Sequence, residues 1–149
     1  MNHEELQKYL HDNIPLTRCM KVQVEMASLN RVVLTAPLQE NINHKKTAFG
    51  GSLHTIATLS CWSLAFLNSV TLRGKADLVI SESHILYLRP VTSDIICIAA
   101  QDDSKVWKRF EQGYLKFGKS RIRLSAKIFQ DGHLAVDYNG DFAAVKVAV

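Results

Sequence analysis

Apolar and polar positions alternate with two different periods along this chain, and the switches between them outline its elements. Residues 3–11 place Leu6, Tyr9 and Leu10 on one side of a short helix. Ile14-Pro15 ends it, because the residue before a proline avoids the helical region. Met20 to Met26 then alternates apolar with polar, as a half-buried strand does. Ser28-Leu29-Asn30 reads as a turn and Arg31 to Ala36 as its hairpin partner, closed by Pro37. After a polar loop over Glu40 to Phe49, helical spacing is predicted from Gly51 to Leu72. Arg73-Gly74-Lys75 is its stop signal, a cation and then a glycine. Leu78 to Leu88 and Ile95 to Ala100 read as strands, the first closed by Pro90. Trp107, Phe110, Tyr114 and Phe117 recur at helical steps over 104–116, and Gly118 ends that helix. From Ser120 to Phe129, Ile122, Leu124, Ala126 and Ile128 face one way while Arg121, Arg123 and Lys127 face the other. Asp131-Gly132 is a hairpin turn signal. The return strand carries Leu134, Val136 and Tyr138 and runs past Gly140 towards Val147.

This order predicts an α+β domain over residues 1–149: an antiparallel sheet of about six strands wrapped around one long central helix. The helix itself is unusual. From Thr47 to Leu72 there are 26 residues without Asp, Glu, Lys or Arg, so nothing marks a solvated face. Its many Ser, Thr and Asn residues and the Gly50-Gly51 start argue against a membrane span. Something must cover it.

Composition narrows the classes. Hydrophobic residues make up 47% and charged ones 21% of the 149 residues, which excludes a disordered chain. Net charge is +4 with a pI near 9.0, compatible with an anionic partner such as a nucleotide-bearing cofactor or an acidic carrier protein. The basic residues are not interleaved with aromatics on one strand face, so nucleic acid is not the expected partner. Cys19, Cys61 and Cys97 lack metal-ligand spacing. With no signal peptide in view they read as reduced packing residues of a cytoplasmic protein. Met20 and Met26 read as core.

Two segments carry a family resemblance. Glu40-Asn-Ile-Asn43 followed by Thr47-Ala-Phe-Gly50-Gly51-Ser52-Leu53 resembles the loop and helix start of hot-dog-fold acyl-CoA thioesterases. Ile85-Leu-Tyr87-Leu-Arg89-Pro90-Val91 resembles the strand that follows their central helix. With the element order, the resemblance covers nearly the whole chain. The wording around Phe49-Gly50-Gly51-Ser52-Leu53, with Cys61-Trp62 beyond it, looks closest to the thioesterase domain found alone or fused behind bacterial acetyltransferase domains. The resemblance implies a homodimer whose strands join into one sheet, or a tetramer built from two such dimers. It also implies active sites at the dimer interface, acting on acyl-CoA or acyl-carrier-protein thioesters without a cofactor.

Thioester hydrolysis needs a polarised carbonyl, an activated water and a grip on the substrate. The opening N–H groups of a helix lack intrahelical partners and carry partial positive charge, so Gly51 is the candidate oxyanion donor, with Gly50 and Ser52 beside it. The alternative is that the Gly pair only makes a tight turn. Asn43 is a candidate to position the water, or else a turn residue bonding its own backbone; Asn41 is the weaker choice. Thr58 occupies the position, two turns into the helix, where better-known relatives carry a catalytic Asp or Glu. It can hold a water but is no strong base. Glu82 is the expected substitute base, placed by the period of two on one face with Ile80, His84, Leu86 and Leu88, and His84 is its neighbour candidate. His54 reads as structural. Lys45 and Lys46 are candidate contacts for CoA phosphates, as are Arg73, Lys75 and the basic residues between Lys105 and Arg123; the alternative is a solvated face. Trp107, Phe110 and Tyr114 read as packing. The competing function is a non-catalytic acyl-thioester-binding module on the same fold, supported by the missing carboxylate. A dehydratase lacks its paired His and Glu.

Overall fold

The computed structural model describes residues 1–72 and 76–147. The chain forms helices α1 (His3–Asn13), α2 (Pro15–Cys19), α3 (Gly50–Ser69) and α4 (Ser104–Phe117). Its strands are β1 (Gln23–Ala27), β2 (Arg31–Ala36), β3 (Ala76–Tyr87), β4 (Ile95–Ala100), β5 (Lys119–Gln130) and β6 (His133–Lys146). The strands make one antiparallel sheet in the order β1-β2-β4-β5-β6-β3. The six strands and the dominant helix agree with the expected architecture.

The sheet curls around α3, which packs against β2, β3, β4, β5 and β6. Leu53, Ile56, Ala57, Ser60, Cys61, Leu64 and Ala65 are buried on α3 at helical spacing. They meet Ile122, Leu124, Ala126 and Ile128 of β5 and Ala135, Tyr138 and Phe142 of β6 in the core. Burying each large aliphatic side chain contributes about 1.5–3 kcal/mol, so this contact layer dominates the stability. The α3 helix ends at Ser69, three residues short of the expected end at Leu72. The Arg73-Gly74-Lys75 stop signal lies outside the described residues.

Part of the cover over the uncharged helix comes from α1. Its start is fixed by a capping box: Asn2 Oδ1 accepts from the Glu5 N–H (2.9 Å), and a Glu5 carboxylate oxygen accepts from the Asn2 N–H (2.8 Å). Leu6 and Leu10 are buried, and Tyr9 stacks on Phe66 (centroids 4.6 Å), which in turn stacks on Trp62 (4.8 Å). Pro15 ends α1 as expected but also opens α2, with proline in the first helical turn where its missing N–H does no harm.

Two expectations on side-chain placement change. Met20 is buried, but Met26 is 47% exposed. The register of β1 against β2 shifts between Val24 and Met26, and this bulge on an edge strand breaks the alternation that placed Met26 inside. Phe117, expected to share the apolar face of α4, is 66% exposed beneath the Lys116 ammonium, while Phe110 and Tyr114 are buried. Asp131 and Gly132 both take positive φ (50° and 76°), the turn that matches strand twist in a two-residue hairpin.

Candidate active site

The loop before α3 is held from both sides. Asn41 is buried and its amide donates to the carbonyls of Met20 (3.0 Å) and Pro37 (2.8 Å). The Ala48 N–H donates to Val91 O (2.8 Å) and the Phe49 N–H to Asn41 O (2.7 Å). Between these anchors Asn43 closes its own turn. Its Oδ1 accepts from the Lys45 (2.8 Å) and Thr47 (3.2 Å) N–H groups, and its Nδ2 donates to Thr47 Oγ1 (2.9 Å). Of the two readings of Asn43, this geometry supports the turn residue rather than the water-positioning one, because the amide is committed inside the loop. Lys45 and Lys46 project from the same loop and are exposed.

The loop delivers the chain to α3 with no side-chain cap. Phe49 is the N-cap, and the first intrahelical bond runs from the Leu53 N–H to Phe49 O (3.0 Å). The N–H groups of Gly50, Gly51 and Ser52 therefore precede the intrahelical ladder, at the positive end of the helix dipole. The Phe49 ring lies over Gly51: a Cβ there would sit 2.4 Å from ring carbon Cε1. Glycine gives the exposed Phe49 ring room for this close approach, and Gly51 itself is exposed. The Tyr87 hydroxyl donates to Gly50 O (3.2 Å) and ties the helix start to the end of β3.

One turn further on, α3 and β3 enclose an open groove of about 390 Å³, lined by His54, Thr55, Thr58, Leu59, Ile80 and Ser83. Thr58 Oγ1 lies 3.0 Å from the Tyr138 hydroxyl, and His54 Nε2 lies 3.1 Å from Ser83 Oγ. The His54 and Tyr138 rings pack at 5.7 Å between centroids. Burial raises the Tyr138 phenol above its ordinary value, partly offset by the Thr58 hydrogen bond, so the hydroxyl is neutral at physiological pH.

Glu82 and His84 are not part of this groove, which corrects their expected placement. The β3–β6 register shifts between Ile80 and Glu82, inserting Ser81 as a bulge. Ile80 is paired with buried Phe142 and faces α3. Glu82 is paired with Asp141 and faces the opposite side of the sheet. There Glu82 and His84 border a separate polar depression of about 400 Å³ with Arg123, Asn139 and Asp141. Arg123 bridges Asp141 through two hydrogen bonds (2.7 and 3.0 Å), and the guanidinium holds the Asp141 carboxyl below its usual range.

Tyr138 and Ser83 are the site residues that sequence reasoning missed. One signal for Tyr138 was present: Gly140, an isolated glycine inside an otherwise regular strand. A Cβ at Gly140 would lie 2.7 Å from the Tyr138 hydroxyl oxygen and 2.8 Å from Phe142 Cε2, so the glycine leaves room for the phenol to lie across the sheet.

A curled antiparallel sheet around one long helix, with a Gly-Gly pair opening that helix, defines the hot-dog thioesterase class. Residues 3–146 match the family described as "Putative thioesterase (yiiD_Cterm)", and the chain belongs to it. A protein of unknown function from Chlorobaculum tepidum TLS is 30% identical with a TM-score of 0.92, over 97% of this chain and 94% of that one. A "putative thioesterase" from Shewanella oneidensis is also 30% identical, with a TM-score of 0.83 over 96% of each chain. A Pseudomonas aeruginosa protein described as a probable thioesterase shares the fold at 20% identity, with a TM-score of 0.80 over 97% of this chain and 96% of that one. Among the described residues, no helix is long and apolar enough to cross a membrane.

Proposed function

We propose that this chain hydrolyses acyl-CoA or acyl-carrier-protein thioesters in the groove between α3 and β3, working as a homodimer or as a pair of dimers. The observation that carries the reading is the Gly50-Gly51 helix start, whose free amides open beside a groove floored by hydroxyl groups. A thioester carbonyl accepting from the Gly51 N–H gains as its oxygen becomes an oxyanion. One such preorganised donor is worth about 3 kcal/mol in the transition state. Thr58, held by Tyr138, lines the groove about 10 Å further along α3. Lys45 and Lys46 on the loop before Gly50 suit the phosphates of CoA or of a carrier's pantetheine arm.

The β3 strand supports the dimer. It is 12 residues long and forms one edge of the sheet, with Val79, Ile80, Leu86 and Tyr87 exposed. An apolar edge of that length invites pairing with another strand. A second copy of β3 alongside it would extend the sheet and wall the groove. The three free thiols, two of them buried, suit a reducing, cytoplasmic setting.

A thiol-trapping assay across acyl-CoAs of increasing chain length, with the mass in solution measured by light scattering, tests this. Saturable thiol release above background from a particle of two or four chains is the expected result. Background rates together with saturable CoA binding would instead favour the binding-module reading, which the absence of a carboxylate at Thr58 supports.

A further inference from the structure

The α3 helix carries no carboxylate, and the sheet turns Glu82 away from the groove, so the water needs another base. Among the described residues that line the groove, His54 carries the one imidazole. Its surroundings are ordered like a catalytic relay. Tyr138, seated in the space left by Gly140, accepts from Thr58 at its phenol oxygen and packs its ring against His54. Ser83 Oγ lies 3.1 Å from His54 Nε2 and holds that ring nitrogen. In the tautomer whose Nε2–H donates to Ser83, the Nδ1 lone pair is left to accept a proton. His54 stands one turn after Gly51, and side chains on a helix lean back over the turn before them. The imidazole is therefore carried towards the helix start, where the Gly51 amide lies.

We propose that His54 is the general base of the hydrolysis, with Ser83 and Tyr138 as positioning residues that hold its tautomer and orientation. This assignment rests on the thioesterase reading. His54 Nδ1 takes a proton from the attacking water, and the water oxygen bonds to the carbonyl carbon. The carbonyl electron pair moves onto oxygen, where the Gly51 N–H receives it. As the intermediate collapses, the C–S bond breaks with its electron pair leaving on sulfur, and the imidazolium returns the proton to the thiolate. The products are the carboxylic acid and the free thiol, and His54 ends neutral.

The test is steady-state hydrolysis by the full chain, comparing wild type with His54→Ala and His54→Gln, with folding checked by circular dichroism. General-base removal is expected to lower kcat about 100-fold or more with KM little changed. Free imidazole should restore turnover to His54→Ala in proportion to its concentration, which a merely structural histidine would not allow. Ser83→Ala and Tyr138→Phe should lower kcat by about tenfold at unchanged KM, as the loss of an orienting hydrogen bond of about 1.4 kcal/mol does, while Ser83→Thr restores it. A folded His54→Gln chain with wild-type kcat overturns the assignment, as does a loss in His54→Ala that imidazole leaves untouched. A wild-type chain that releases no thiol from any acyl-CoA overturns the thioesterase reading, and the assignment with it.

Discussion

Ser81 decides which side chains of β3 face the chemistry. Before it, Ile80 faces α3; after it, Ser83 does, and Glu82 points away. A strict period of two reads Glu82 onto the face of Ile80, and a bulge leaves no mark in the alternation of a mixed strand. Because the sheet separates Glu82 and His84 from Gly51, Glu82→Gln and His84→Ala should keep kcat/KM within about twofold of wild type, as surface substitutions do. A thiol-release assay of both variants checks this, and a large loss in either would return a carboxylate or imidazole from β3 to the mechanism. Asp141 on that same outer face has a different signature. Its carboxyl is held down by Arg123, so the folded state binds its proton less readily than the unfolded chain does. The pair's contribution is fully present above the ordinary carboxylate value of 3.8, and it is lost as pH falls through the lower folded value. Melting temperatures from pH 6 to pH 2 should therefore fall less steeply in Asp141→Asn than in wild type at the acid end.

At the scale of elements, the sequence patterns were most informative where one face is buried and the other wet. The alternation in β5, the Asp131-Gly132 turn and the helical spacing of α4 correspond closely to the observed elements, because period and turn chemistry are local properties. What the patterns did not carry is contact between distant segments. Thr58 and Tyr138 are 80 residues apart, and neither period nor composition brings them together. Gly140 is the local trace of that contact, left because a strand interior otherwise favours a side chain. Gly140→Ala should push its methyl into Tyr138 and Phe142, whose rings are held by the core. Overpacking of this kind typically costs about 1–3 kcal/mol. Urea unfolding should show that loss, and the displaced phenol should lower kcat as well. A variant with wild-type stability and turnover would mean that the phenol does not need the space.

The whole molecule answers what covers an uncharged 20-residue helix. The curled sheet takes most of it and the Tyr9 stack from α1 takes another part. What remains is the groove at His54, Thr55 and Thr58 beside the β3 edge of the sheet. Loop, helix start and hydroxyl network converge there, though they come from segments far apart in sequence. The central claim is that the thioester carbonyl sits at the Gly51 amide. A crystal structure of the protein with a non-hydrolysable ketone analogue of acyl-CoA measures this directly. The account predicts the ketone oxygen within hydrogen-bond reach of the Gly51 N–H, with the carbonyl carbon facing His54. An analogue seated instead in the outer depression between Glu82 and Arg123, or at the α4 end of α3, with its ketone far from Gly51, would contradict it.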